Sequence, residues 1–486
     1  MQLRFLLPIL SLIVAMSGAL PAAYGQSIAL PEIGQSGGAG VTPSEERRTG
    51  EAVMRNFYRM GAILDDPLLH DYINLLGYSL IPASNSSKRD FQFFMVDDDS
   101  INAFALPGGY IGVNYGLLLA TESESEVASV LAHEIAHVTQ RHHARAYEFA
   151  SQNNIPVLAA LIAAIVLGTQ NGELAQAALA TVTAGSIQQQ INFTRENEKE
   201  ADYIGIQLLA DSGYNPQSMA AFFSQLSKES RLYGPQAPEF LRTHPVNESR
   251  IADASNRAAQ LTAKKSYRSQ KNYFLMRARV QVLTSEDKKK LVTQLSGKLK
   301  NGQYQDREAT LYAIALGLME SGQYQQARTK LDALLKQDPE RIAYLLARAK
   351  LESLAKRHQA AISAFKKALA DYPHNGPLTF AYSQALLNAG KPAMARKVLL
   401  AQLRKQDDNP NLYRLLAEAE SSLGNTAGTH VAMGEYYYRV GLTHQALDQL
   451  NLARKTEHLD WYNIERIEAR LADFKEELTQ LEQLPK

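Results

Sequence analysis

The pentapeptide His133-Glu134-Ile135-Ala136-His137 sets two imidazoles four residues apart. On a helix that spacing puts both rings on one face, where a single cation can meet them, with Glu134 beside them. Neutral imidazole nitrogen suits zinc, and a neighbouring carboxylate can take a proton from water as that water attacks a peptide carbonyl. The pattern predicts a metallohydrolase with His133 and His137 as ligands and Glu134 as general base. A catalytic site of this kind needs a third protein ligand and a position left for water. The acidic run Glu196-Asn197-Glu198-Lys199-Glu200-Ala201-Asp202 can supply that ligand from a second helix, on which Glu198 and Asp202 share a face. Spacing alone leaves Glu196, Glu198 and Glu200 all open for the role.

The elements that must carry these groups are short and mixed. A helix is expected from about Ser123 through Arg141, with Glu122, Glu124 and Glu126 near its amino end, where the helix field favours them. Glu51 to Met60 reads as another helix. Phe91 to Val96 and Tyr110 to Val113 read as strands separated by the Leu106-Pro107-Gly108-Gly109 turn. The fold class expected is α+β, mostly helical. Tyr110-Ile111-Gly112-Val113-Asn114 is a candidate edge strand to which an extended substrate adds by backbone pairing.

Length and composition frame the rest. The chain has 486 residues, 45% of them hydrophobic and 21% charged, which implies two to three packed domains rather than a disordered chain. Lys and Arg number 51 against 50 acids, so the balance offers no sign of nucleic-acid binding. With no cysteine, disulfides, thiol nucleophiles and cysteine-held metals are excluded. Arg4, the apolar run Phe5 to Val14 and the small residues from Gly18 to Gly25 predict a cleaved secretory signal over residues 1–25. Ile155 to Leu167 and Leu174 to Val182 are apolar, and each is shorter than the roughly 20 residues that span a bilayer. Segment 155–182 is therefore read as two short helices forming a lid or a peripheral membrane contact.

The last part of the chain is periodic. Ala327, Ala361 and Ala395 recur every 34 residues, as do Pro339 and Pro373. Gly322, Gly390 and Gly441 each stand five residues before an alanine, marking a turn into a second helix. Together with Ala361, Phe365, Ala368 and Pro373 in one unit and Gly434, Tyr437, Ala446 and Ala453 in another, this resembles tetratricopeptide repeats. The resemblance implies an all-α solenoid over 270–486 with a concave surface for peptides or proteins.

His133-Glu-Ile-Ala-His137 followed by Glu198-Lys-Glu-Ala-Asp202 resembles the gluzincin proteases of family M48. That resemblance implies a protease domain over 44–265 holding one Zn2+ per chain, with Glu198 as third ligand and Asp202 orienting His133. Thr243-His244-Pro245 with Arg250 resembles a feature following the ligand motif in part of the family. His244 is then a candidate for stabilising the oxyanion or for a fourth, inhibitory ligand, and Arg250 for pairing with Asp202. The stretch from Asn102 to Tyr110 resembles the segment before the family's active-site helix, which adds Asn102 to the candidate substrate contacts. The signal, the metal motif and the repeats in one chain resemble a periplasmic Gram-negative branch of the family. The implied partners are unfolded or stalled outer-membrane β-barrel proteins and the β-barrel assembly machinery, with a chaperone-like and proteolytic role. Against this stand a metal-stabilised binding scaffold without turnover and a general secreted zinc peptidase.

Overall fold

Thr42 opens the first helix, α1 (Pro43–Arg59), through a capping box: its hydroxyl accepts from the Glu45 amide while the Glu45 carboxylate accepts from the Thr42 amide. The helix is longer than apolar spacing indicated, because its first turns are polar. The computed structural model describes residues 41–84, 91–152, 184–233, 238–263, 269–405, 409–457 and 459–482. The signal expected at 1–25 and the apolar segment 155–182 lie outside these residues. No helix among the described residues is long and apolar enough to cross a membrane.

Helix α2 (Pro67–Tyr78) begins at Asp66, whose Oδ1 accepts from the amides of Leu68 and Leu69 at 3.1 Å. Three strands follow, β1 (Gln92–Val96), β2 (Ala103–Leu106) and β3 (Tyr110–Asn114), in the order β1-β3-β2. β1 runs parallel to β3 and β2 antiparallel to it. This corrects the reading of Tyr110, Ile111, Gly112, Val113 and Asn114 as an edge strand: they form the central strand, buried throughout, with both edges already paired. The sheet's edge strands are β1, whose outer side bridges Ile63 to Val96, and β2, whose four residues give too little alternation to register in the sequence.

Helix α3 (Tyr115–Ala120) leads to α4 (Glu124–Thr139), started by the Ser123 hydroxyl accepting from the Glu126 amide. Every residue of α4 from Glu126 to Val138 is buried, so this helix is the centre of its domain. Around it stand β2, α5 (His142–Gln152), α6 (Ala184–Asp211) and α7 (Gln217–Tyr233). Gly205 on α6 allows the closest approach: a Cβ there would meet the backbone of Ala132 and His133 at 3.2 Å. The short helix α8 (Glu239–Thr243) and α9 (Glu248–Ala259) complete this part.

From Lys271 onward the chain is a run of helical hairpins. They comprise α10 (Lys271–Thr284), α11 (Lys288–Lys300), α12 (Arg307–Glu320), α13 (Tyr324–Gln337), α14 (Ile342–Leu354), α15 (His358–Asp371), α16 (Gly376–Asn388), α17 (Pro392–Leu403), α18 (Pro410–Ser422), α19 (Thr426–Arg439), α20 (Thr443–Arg454) and α21 (Trp461–Glu482). The periodic alanines Ala327, Ala361, Ala395 and Ala446 are completely buried, where a small side chain lets helix axes approach. Gly322, Gly390 and Gly441 take positive φ angles of 75°, 66° and 75° at the hairpin turns. Lys356 adopts the same conformation, φ 57°, five residues before Ala361, which is why one turn escaped the glycine pattern.

The hairpins share a core with the mixed domain. One apolar cluster runs from Leu68 in α2 to Ala432 in α19. Arg279 of α10 forks onto Asp66 at 2.8 and 2.6 Å, both groups buried, and donates to the Tyr312 hydroxyl at 3.0 Å. At the far end, Arg55 of α1 lies 4.3 Å from the Tyr438 ring centroid and pairs with Glu477 of α21.

Candidate metal centre

The pentapeptide lies wholly within α4, so His133 and His137 point the same way and their Nε2 atoms stand 3.0 Å apart. Glu198 reaches them from α6, its two oxygens each 3.4 Å from one of those nitrogens. His244 arrives from the end of α8, with Nδ1 3.2 Å from His133 Nε2 and 3.1 Å from both Glu198 oxygens. One ligand atom from each of the four residues falls within 4.8 Å of all the others, and all four residues are buried. Ligand bonds of about 2.0–2.2 Å at tetrahedral angles place neighbouring donors about 3.3–3.5 Å apart, so this set has the size and chemistry of a zinc site. Among the acids left open by spacing, Glu198 is the one that converges.

Each group is held from behind. His133 Nδ1 lies 3.0 Å from Asp202 Oδ1. Arg250 forks onto Asp202 at 2.7 and 2.8 Å, and its third nitrogen contacts Glu198 at 2.9 Å and the Pro245 carbonyl at 2.8 Å. Arg250 thus ties the His244 loop to α6. The Phe240 ring stacks on His244 with centroids 4.8 Å apart, and the His244 amide donates to the Phe240 carbonyl at 2.7 Å. Burial opposes charge on His133, yet the Asp202 and Glu198 carboxylates outweigh it and lift the imidazole to about 10. Burial and the neighbouring His133 push His137 well below its usual value. Glu198 is driven well below the carboxylate range, His244 and His133 overcoming its burial. A cluster that holds extra charge on one ring between two carboxylates is a place that calls for a cation.

Glu134 stands at the edge of this group, fully buried, with Oε1 3.5 Å from His244 Nε2 and that oxygen without a hydrogen-bond partner. Burial raises its carboxyl, against a backbone hydrogen bond from Ala105 of β2. A carboxyl raised in this way takes up a proton more readily than an exposed one. Ala105 belongs to the edge strand β2, which packs against α4 beside the donors. Asn102 is buried and its carbonyl accepts from the Asn114 amide at 3.0 Å, which commits its backbone to the sheet.

Sequence reasoning did not single out His142. It is buried, its Nδ1 2.9 Å from His137 Nδ1 and its Nε2 3.2 Å from Glu200. Burial lowers its imidazole below the usual value. Glu200 is held at about 2, first by its hydrogen bond with His142 and, despite burial, also by Arg145 at 2.8 Å.

Residues 67–258 match the family described as Peptidase family M48, and residues 354–419 match a tetratricopeptide repeat. The chain is 35% identical over 468 residues to the β-barrel assembly-enhancing protease of Escherichia coli O157:H7, covering 96% of each. It is 44% identical over 262 residues to the Vibrio cholerae protein named "Putative beta-barrel assembly-enhancing protease", covering 54% of each. Against the mitochondrial metalloendopeptidase OMA1 of Arabidopsis thaliana it is 29% identical over 220 residues, 45% of this chain and 42% of that one.

Proposed function

We propose, from the premise that this chain belongs to peptidase family M48 and carries tetratricopeptide repeats, that it is a zinc endopeptidase acting on outer-membrane β-barrel proteins that fail to assemble. Family membership and the buried donor cluster make it a metallopeptidase. The observation that carries the proposal is the convergence of His133, His137 and Glu198 at zinc-like separations with one buried, unpartnered oxygen of Glu134 alongside. The relatives' names and the amino-terminal signal sequence support work in a Gram-negative periplasm, with the β-barrel assembly machinery as a partner of the repeats.

His133, His137 and Glu198 would hold the ion. Zinc bound there supplies Lewis acidity toward a scissile carbonyl and acidifies water. Glu134 accepts the proton released in the attack and returns it to the leaving amine. Asp202 keeps His133 in the tautomer whose Nε2 is free, and Arg250 fixes Asp202. An extended peptide lies along the edge strand β2 rather than along β3, both sides of which are already paired. His244 stands where a fourth donor would, which supports a resting state closed to water and an active state in which its loop withdraws.

The full chain, loaded with zinc and offered unfolded β-barrel client and short soluble peptides, tests the reading. Glu134→Gln is expected to keep zinc and lose roughly 10²–10⁴-fold of turnover, and His244→Ala to cleave faster. Turnover retained in Glu134→Gln refutes the base assignment, and slower cleavage by His244→Ala refutes blocking. Cleavage of short peptides alone would favour a general secreted peptidase.

A further inference from the structure

We infer that His142 is a positioning residue that orients His137, and that Glu200 anchors it from α6. The inference rests on the reading of His137 as a ligand through Nε2. With that nitrogen turned toward a cation, the ring's proton sits on Nδ1 and needs an acceptor. His142 Nδ1 stands 2.9 Å away. A neutral imidazole accepting at Nδ1 carries its own proton on Nε2, and His142 Nε2 faces Glu200 Oε2 at 3.2 Å. The proton placements therefore run in one direction, from His137 to His142 to Glu200, with none missing and none duplicated.

The other ligand ring shows the same plan without the intermediary. His133 Nδ1 meets the Asp202 carboxylate directly at 3.0 Å. Both carboxylates come from α6, two residues apart, and each is gripped by an arginine: Arg250 on Asp202, Arg145 on Glu200. Glu200, one of the acids that spacing offered as a ligand, thus serves the second ring at one remove.

The backbone is bent to make this contact. Residues five apart on an unbroken helix are turned about 140° from each other, so His142 would face away from His137. Arg141 instead takes φ 53°, a conformation that residues with a side chain rarely adopt, and α5 restarts in a new direction. The Arg141 guanidinium secures the bend by donating to the Val41 carbonyl at 2.6 Å. Phe149 of α5 stacks on Phe193 of α6, centroids 4.7 Å apart and planes 8° from parallel, which holds α5 against the carboxylates. An imidazole whose Nδ1–H is engaged keeps one rotamer and is a stronger donor at its other nitrogen.

The test measures the zinc affinity of the full chain by competition with a chromophoric chelator, together with the thermal midpoint of the zinc-free protein. His142→Phe is expected to weaken zinc roughly 10–100-fold. His142→Asn, whose amide oxygen replaces the Nδ1 acceptor, is expected to recover most of that loss, while the zinc-free midpoints stay together. Affinity within roughly twofold of the parent in His142→Phe, or equal weakness in the Asn and Phe variants, overturns the inference. If His142→Phe does not fold, Glu200 decides: weaker zinc with Ala and recovery with Gln supports the relay, and unchanged affinity with Ala overturns it. His137→Ala separates the two levels, since zinc retained in that variant sinks the ligand reading itself.

Discussion

The metal-bearing half and the repeat half both bring helices into close contact, by opposite means. Where α4 crosses α6, Gly205 removes a side chain, and the two helices bury imidazoles and carboxylates along their contact. In the hairpins Ala327 and Ala361 provide the room, and Leu331 and Phe365 fill it. Burying ionisable groups costs free energy that only exact pairing or a bound ion returns, whereas burying aliphatic and aromatic surface stabilises by about 25 cal/mol per Å². The first half is organised around a site at the expense of stability. The second supplies a regular apolar support, and the shared core lets it serve the first.

Arg279 and Asp66 are the place where that division breaks down, since the repeat half meets the mixed domain through a buried charge pair. Asp66 also caps α2, so Arg279→Met would strand a carboxylate already committed to the Leu68 and Leu69 amides. The expected loss in denaturant unfolding is about 3–5 kcal/mol, with zinc affinity unchanged once folded. Burial opposes it, but Arg279 holds Asp66 below its ordinary 3.8. The pair's contribution is thus present above that value and fades as pH falls through the lower folded one, so the gap between parent and variant should narrow in acid. A gap independent of pH would show that packing, not charge, makes the joint.

Ala361→Leu probes the apolar side of the comparison. Overfilling a completely buried helix crossing should cost about 1–3 kcal/mol without changing zinc affinity; a neutral result would mean that the hairpins are loosely packed. Lys356→Gly should act least. Relieving a left-handed lysine gains roughly 1–2 kcal/mol and the added chain freedom of glycine returns about 0.5–1, leaving a net gain of about 0–1.5 kcal/mol. A destabilised variant would mean that the lysine side chain contributes contacts of its own.

The two halves also differ in how much the sequence discloses. A repeat is built from neighbours in the chain, so Ala327, Ala361 and Ala395 at a fixed interval declare the hairpins, and Lys356 hides one turn only by replacing a glycine. The pentapeptide is equally local, since four residues on one helix set both rings. Glu198 converges on them from 61 residues farther along the chain than His137, on an acidic helix where spacing admitted three ligands. His142 was invisible for a backbone reason: no helical periodicity places it on His137, and only the left-handed Arg141 does. β3 was mistaken for an edge because strand order depends on pairing between distant segments, and a run of five residues carries no record of its neighbours.

The uninterrupted core from Leu68 to Ala432 has a practical side. Because α2 and α3 pack on the hairpins, shortening the gene after α9 would strip away part of the wall against which they rest, yielding an insoluble fragment rather than a minimal enzyme. A change of packing among the hairpins would therefore be felt by the helices that flank the donors, without any contact to the donors themselves.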